Sequence, residues 1–166
     1  GDSGSDPRAA AAAAATAVCR ELIDAAGPAC VAIKPQLARF EALGPPGIAA
    51  LEAVCEAARE AGLLIVADGK RGDVPVTAAA YADALLGSTP TPWGDVPGLG
   101  ADAVTANPLM GEDSLEPLIA AAERTGAGIF TLVRTSNPGA ADLLDLEIGG
   151  EPLHERLARI VDGFAD

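Results

Sequence analysis

The sequence predicts an α/β chain, a partial TIM (β/α)8 barrel of about four parallel strands with flanking helices. Two observations carry this. Four uninterrupted apolar runs alternate with helical patterns at roughly 35-residue spacing, which calls for a parallel sheet covered by helices. Polar residues then follow each run: Lys34, Asp68 with Lys70, Asn107, and Thr135-Ser136-Asn137. An open doubly wound sheet gathers its functional residues at one crevice, whereas a barrel draws them from all its strand ends. Contributions from all four runs favour the barrel.

The elements follow in order. Asp6 as N-cap, Pro7 in the first helical position and Gly27 past the end bracket a helix over Arg8 to Ala26. The apolar run Ala29–Ile33, stopped by Lys34-Pro35, is the first strand. A helical pattern over Pro46–Ala61 ends at Gly62, and Leu63–Ala67 is a buried strand leading into Asp68-Gly69-Lys70-Arg71-Gly72-Asp73. Val74–Leu86 fits a helix. Residues 87–100, rich in Pro and Gly, form a loop that Trp93 is expected to pack down. Asp102–Ala106 is the third strand, Ser114–Arg124 a helix and Gly128–Arg134 the fourth strand. Pro152–Phe164 is an amphipathic helix with Leu153, Leu157, Ile160, Val161 and Phe164 on one face and His154 expected on the surface. A complete barrel takes about 250 residues. The 166 residues are therefore expected to form a single domain, an incomplete barrel without its first and last strands.

Composition narrows the function classes. Hydrophobic residues make up 49% of the chain and charged residues 21%, enough apolar material for a sizeable core. Eleven Lys and Arg against 24 Asp and Glu give a net charge of −13, a field that repels nucleic acid and anionic membranes. Cys19, Cys30 and Cys55 make no Cys-x-x-Cys pair, and His154 is the single histidine, so neither a disulfide scaffold nor a Cys/His zinc site is expected. The longest apolar stretches, Ala9–Ala15 and Leu63–Ala67, are too short to cross a bilayer, and Gly1 to Asp6 carries no basic signal-peptide region. The expected setting is a reduced cytoplasm.

The segment Asp68 to Asp73 carries the strongest chemical signal. Residues i and i+2 of a strand project to one side, so Asp68 and Lys70 leave the strand end together. Gly72 is expected to turn the chain and bring Asp73 back towards Lys70. An ammonium held between carboxylates suits a developing carbanion, first as counter-charge and then as proton donor. Taken singly, Asp-Gly is a common turn pair and Asp73 an ordinary helix cap, but no partner strand follows for a hairpin. Gly69-Lys70 lacks the glycine and the Ser/Thr of a phosphate-binding loop, and Gly98–Ala103 precedes a strand where a dinucleotide fingerprint would follow one. Lys34 is a second cation at a strand end, and Ser136 with Asn137 precedes the turn pair Pro138-Gly139.

Several stretches together resemble the orotidine 5′-phosphate decarboxylase family, in its bacterial branch with longer loops. They are Ile33-Lys34-Pro35-Gln36 with Phe40-Glu41, Ala67 to Val74 with Thr77 and Tyr81-Ala82, Asp102–Thr105 to Asn107-Pro108, Gly111–Leu115, and Thr135–Gly139. They cover residues about 29 to 140, in family order. Gly69, where the family more often has Ala, and Pro75, where a small residue is usual, depart from the pattern. The resemblance implies cofactor-free, metal-free decarboxylation of orotidine 5′-phosphate to UMP. It implies that Lys34, Asp68, Lys70 and Asp73 form an alternating charge network with Lys70 as proton donor at C6. Ser136 would hydrogen-bond the pyrimidine, and Asp73 and Thr77 would reach the neighbouring subunit's site in a homodimer. The family's ribose-binding aspartate and phosphate-gripping glutamine and arginine have no counterpart here. Remote phosphate binding lowers the barrier at the reacting carbon, so these residues alone are expected to be nearly inactive. The alternatives are a magnesium-dependent sugar-phosphate decarboxylase or aldolase of the same superfamily, or an inactive truncated barrel piece.

Overall fold

The computed structural model describes residues 6–164. The run Gly1 to Ser5, read above for targeting signals, lies outside them. Helix α1 spans Pro7–Ala26, and the Asp6 carboxylate accepts the Arg8 amide at 3.0 Å, as the Asp-Pro start requires. Gly27 does not end the helix by a left-handed turn. It stays right-handed and opens a one-turn helix, Gly27–Ala29. That turn takes up the start of the predicted first strand, leaving β1 as Ala32–Ile33.

Helix α2, Leu37–Glu41, was not foreseen. It is a single turn and a half that buries Leu37 and Phe40 just after the strand. Helix α3 covers Pro45–Glu60, and β2 runs over Leu64–Arg71, four residues beyond the expected end. Helix α4 is Pro75–Leu85. The 87–100 loop carries a small antiparallel hairpin, β3 Ser88–Thr89 and β4 Val96–Pro97. Trp93 at its tip is 93% exposed and packs nothing down, contrary to expectation. Strand β5 is Ala103–Ala106, helix α5 Glu116–Thr125, strand β6 Gly128–Thr131 and helix α6 Leu153–Asp162. On α6, Leu157 is buried while Ile160 faces water, so its apolar face is only partly covered.

The main sheet has the order β1-β2-β5-β6, with every pair parallel. α1 packs on α3, and α4 on α5. Ile65, Ala67, Val104 and Ala106 fill the sheet's interior, against Leu115, Leu118 and Ala121 of the helical layer. Asp102 pins β5 to β2 before the strands pair. Its carboxylate accepts the Ile65 amide at 2.8 Å and its own amide donates to the Ile65 carbonyl at 2.9 Å. Because all four strands are parallel, everything that follows them emerges at one rim.

Candidate active site

The rim is organised by an irregularity in the β2–β5 ladder. Ala67 pairs with Val104, and the next register point is Arg71 with Ala106. Asp68, Gly69 and Lys70 therefore lie opposite the single residue Thr105, a bulge that re-aims the side chains leaving the strand. Lys70 sits at φ +48°, the one positive φ outside glycine among the described residues. Side chains with a Cβ avoid that region unless their surroundings impose it.

Asp68 is the centre of the bulge. It is 2% exposed, and both carboxylate oxygens are doubly engaged. Lys34 Nζ and Gln36 Nε2 donate to Oδ2, the latter at 3.2 Å. Lys70 Nζ and Thr105 Oγ1 donate to Oδ1, at 2.5 and 2.9 Å. An ionised carboxylate offers about four acceptor positions, and here all are taken. Burial by itself would raise the Asp68 pKa. The hydrogen bonds from Lys34, Lys70 and Thr105, together with the charge of Lys34, outweigh it and hold the carboxyl at about 2. Asp68 is thus a fixed anion with no capacity to act as a base. The two ammoniums it holds remain about half exposed and present their other protons to the rim.

Arg71 and Gly72 of the same segment serve the scaffold. Arg71 turns to the helical layer, pairing with Glu41 of α2 and lying 5.2 Å from the Tyr81 ring of α4. Gly72 is needed for close approach: a Cβ there would stand 2.7 Å from the Asn107 carbonyl oxygen. Asn107 itself forms a turn, its amide donating to the Arg71 carbonyl and its side chain accepting the Leu109 amide.

Of the sequence-nominated residues, the structure brings together Lys34, Asp68 and Lys70. Asp73 does not return to Lys70. Its carboxylate accepts the neighbouring Val74 amide at 2.8 Å, and no ion pair joins it to either lysine. At Gly72 the chain passes tightly beside Asn107 on its way into α4. Asp73 is not the helix cap either, since Val74 holds that place. Thr77 is exposed on the first turn of α4 and Ser136 is exposed in the loop after β6, and neither is among the four hydrogen-bond partners of Asp68. His154 is half-buried rather than superficial, with Nδ1 at 2.8 Å from the Leu144 carbonyl oxygen and 3.4 Å from Asp145. Two partners of Asp68, Gln36 and Thr105, were given no role from sequence. Gln36 shares the i, i+2 relation with Lys34 that linked Asp68 to Lys70. Thr105 is the lone hydroxyl in an otherwise apolar strand.

Among the described residues, no group of three or more His, Cys, Asp or Glu side chains is arranged to hold a metal ion, and no helix is long and apolar enough to cross a membrane. A family profile described as "Orotidine 5'-phosphate decarboxylase / HUMPS family" matches residues 8–163. The chain belongs to this family. The match extends past the 29–140 stretch on both sides, taking in α1 and α6. Among curated proteins, the chain is 46% identical over 153 residues to orotidine 5′-phosphate decarboxylase of Rhodopirellula baltica, covering 90% of this chain and 49% of that protein. It is also 46% identical over 138 residues to the Deinococcus radiodurans protein of the same name, covering 83% and 46%. The solved OMP decarboxylase of Leishmania donovani superposes with a TM-score of 0.76 at 39% identity, over 89% of this chain and 53% of that one. The chain spans about half the length of the curated relatives it matches. The four-stranded parallel sheet is accordingly part of a β/α barrel, as the spacing of its strands predicts.

Proposed function

We propose that the protein of which these residues form part decarboxylates orotidine 5′-phosphate to UMP. The observation that carries this is the buried, saturated Asp68 carboxylate with Lys34 and Lys70 bound to it at the strand-end rim. The C6–carboxylate bond breaks, its electron pair stays on C6 and carbon dioxide leaves. Lys70 Nζ lies beside the nascent carbanion as counter-charge and gives it a proton, then regains one from water. Asp68, which cannot accept a proton with four donors already on it, holds both ammoniums in place and adds negative charge near the departing carboxylate. Lys34 shares that anion and stands as the second cation facing the substrate. Ser136 would hydrogen-bond the pyrimidine from the loop after β6.

The reading extends to a homodimer in which Asp73 and Thr77 serve the neighbouring subunit's site. Asp73 makes no ion pair with its own Lys70, Thr77 is exposed, and Val74 and Val76 beside them are 51% and 87% exposed, an apolar edge suited to a second copy. A small nucleotide is then the ligand, with neither nucleic acid nor membrane as partner. The acidic composition and three free thiols suit a cytoplasmic enzyme. The test is loss of orotidine 5′-phosphate absorbance with purified protein, its Lys70→Ala variant and added chelator. Turnover that persists in chelator and disappears in Lys70→Ala supports the proposal. Turnover that needs magnesium, or that survives the substitution, contradicts it.

A further inference from the structure

We infer that Thr105 is a positioning residue for Lys70, its hydroxyl tying the lysine backbone to the Asp68 carboxylate across the bulge. The inference rests on the reading of Asp68 and Lys70 as the reacting pair, and deepens it. Thr105 Oγ1 accepts the Lys70 amide at 2.8 Å and donates to Asp68 Oδ1 at 2.9 Å. The polarity of this relay is fixed, because an N–H only donates and an ionised carboxylate only accepts. One hydroxyl therefore satisfies the amide that the interrupted ladder leaves over and aims the carboxylate at the same time.

Three features single out the hydroxyl. Thr105 is the β5 residue facing the three bulged residues, so the usual strand ladder is broken where it stands. Lys70 lies at φ +48°, a conformation that a residue with a Cβ keeps only where a specific contact holds it. The rest of β5 is Ala103, Val104 and Ala106, so packing gives no reason for a polar atom at a site 9% exposed. Packing alone would be met by Val, which has the same shape. When the hydroxyl is absent, Lys70 is free to leave the left-handed region, and its ammonium no longer has one place over the substrate.

The test compares Thr105→Val, which keeps shape and removes the hydroxyl, with Thr105→Ser, which keeps the hydroxyl. Three quantities are read: kcat, KM and hydrogen exchange at the Lys70 amide. A lost hydrogen bond to a charged centre corresponds to roughly a tenfold to hundredfold fall in rate. Thr105→Val is expected to lose that factor in kcat with KM little changed and to exchange the Lys70 amide faster, while Thr105→Ser recovers kcat and protection. Wild-type kcat in Thr105→Val, equal losses in both variants, or a loss confined to KM would overturn the inference. Exchange needs no turnover, which separates two failures. Absence of turnover in the whole protein of which these residues form part counts against the decarboxylase reading, whereas a Lys70 amide still protected in Thr105→Val counts against positioning by Thr105. Should Thr105→Val not fold, the unaltered protein decides: a protected Lys70 amide supports the inference, and exchange at the rate of an open loop contradicts it.

Discussion

Asp68 and Asp145 are both gripped by cations, and they behave as opposites. Asp68, between β1, β2 and β5, is 2% exposed and accepts from Lys34, Gln36, Lys70 and Thr105. Asp145, in the loop between β6 and α6, forms a forked pair with Arg134 at 2.7 and 2.8 Å and lies 3.4 Å from His154, with its side chain 37% exposed. Both carboxyls are held below their ordinary range, Asp68 against the opposing effect of burial and Asp145 chiefly by the Arg134 hydrogen bonds. Water screens the second pair, so it fastens a loop and contributes little else. Asp68 itself is shielded from water, and there the same interaction type fixes both a protonation state and a geometry. The difference is made by a hydroxyl and an amide as much as by the lysines: on Asp68, neutral donors share the acceptor positions with the two ammoniums.

That contrast can be broken from the strong end first. Lys70→Ala is expected to lower turnover of orotidine 5′-phosphate by roughly a hundredfold or more, the usual scale for a lost proton donor, measured at saturating substrate. Asp68→Ala leaves two ammoniums without their anion. Because both lysines can swing into water, the stability cost in urea unfolding is expected on the order of 2–3 kcal/mol, below that of a fully buried broken pair. Acid supplies the third test. Asp68 titrates lower in the folded chain than in the unfolded one, so the folded state binds fewer protons between those two values. Its stabilisation is complete above about pH 4 and is lost as pH falls towards about 2, on the order of 2 kcal/mol in total. Urea midpoints measured down that range should fall more steeply in the unaltered protein than in Asp68→Asn. Gly72→Ala drives a Cβ into the Asn107 carbonyl and is expected to cost about 1–3 kcal/mol. At the weak end, Asp145→Asn should leave the melting temperature and turnover unchanged within error.

Much of this contrast could be read in the sequence, and the limits are instructive. The Asp6-Pro7 start, the buried strands β2 and β5 and the closeness of Asp68 to Lys70 appear in the structure, although the first and fourth apolar runs give shorter strands and Lys70 reaches Asp68 through a bulge. So does the convergence of Lys34, because parallel strands bring their ends to one rim. What escaped was set by contacts between elements. Helix α2 is too short to show a helical period, and the β2–β5 register shift depends on two strands 30 and more residues apart. Thr105 gains its role from that shift, and Gln36 from a bridge to Asp68 on the β1 side. Asp73 makes no ion pair with Lys70 for a related reason: the glycine at position 72 answers the closeness of Asn107, a contact between elements, and Asp73 accepts from its neighbour Val74. Trp93 invited an assumption of burial that its place at a hairpin tip defeats.

The claim on which the rest depends is that Asp68 is an internally satisfied anion, ionised down to about pH 2 and shared by two ammoniums. Carbon-13 NMR of the Asp68 carboxyl, followed through acid titration of the folded protein, measures this directly. A midpoint near 2, moving upward in Lys34→Ala and in Lys70→Ala, is the expected result. A midpoint at or above the ordinary aspartate value of about 3.9 would contradict it.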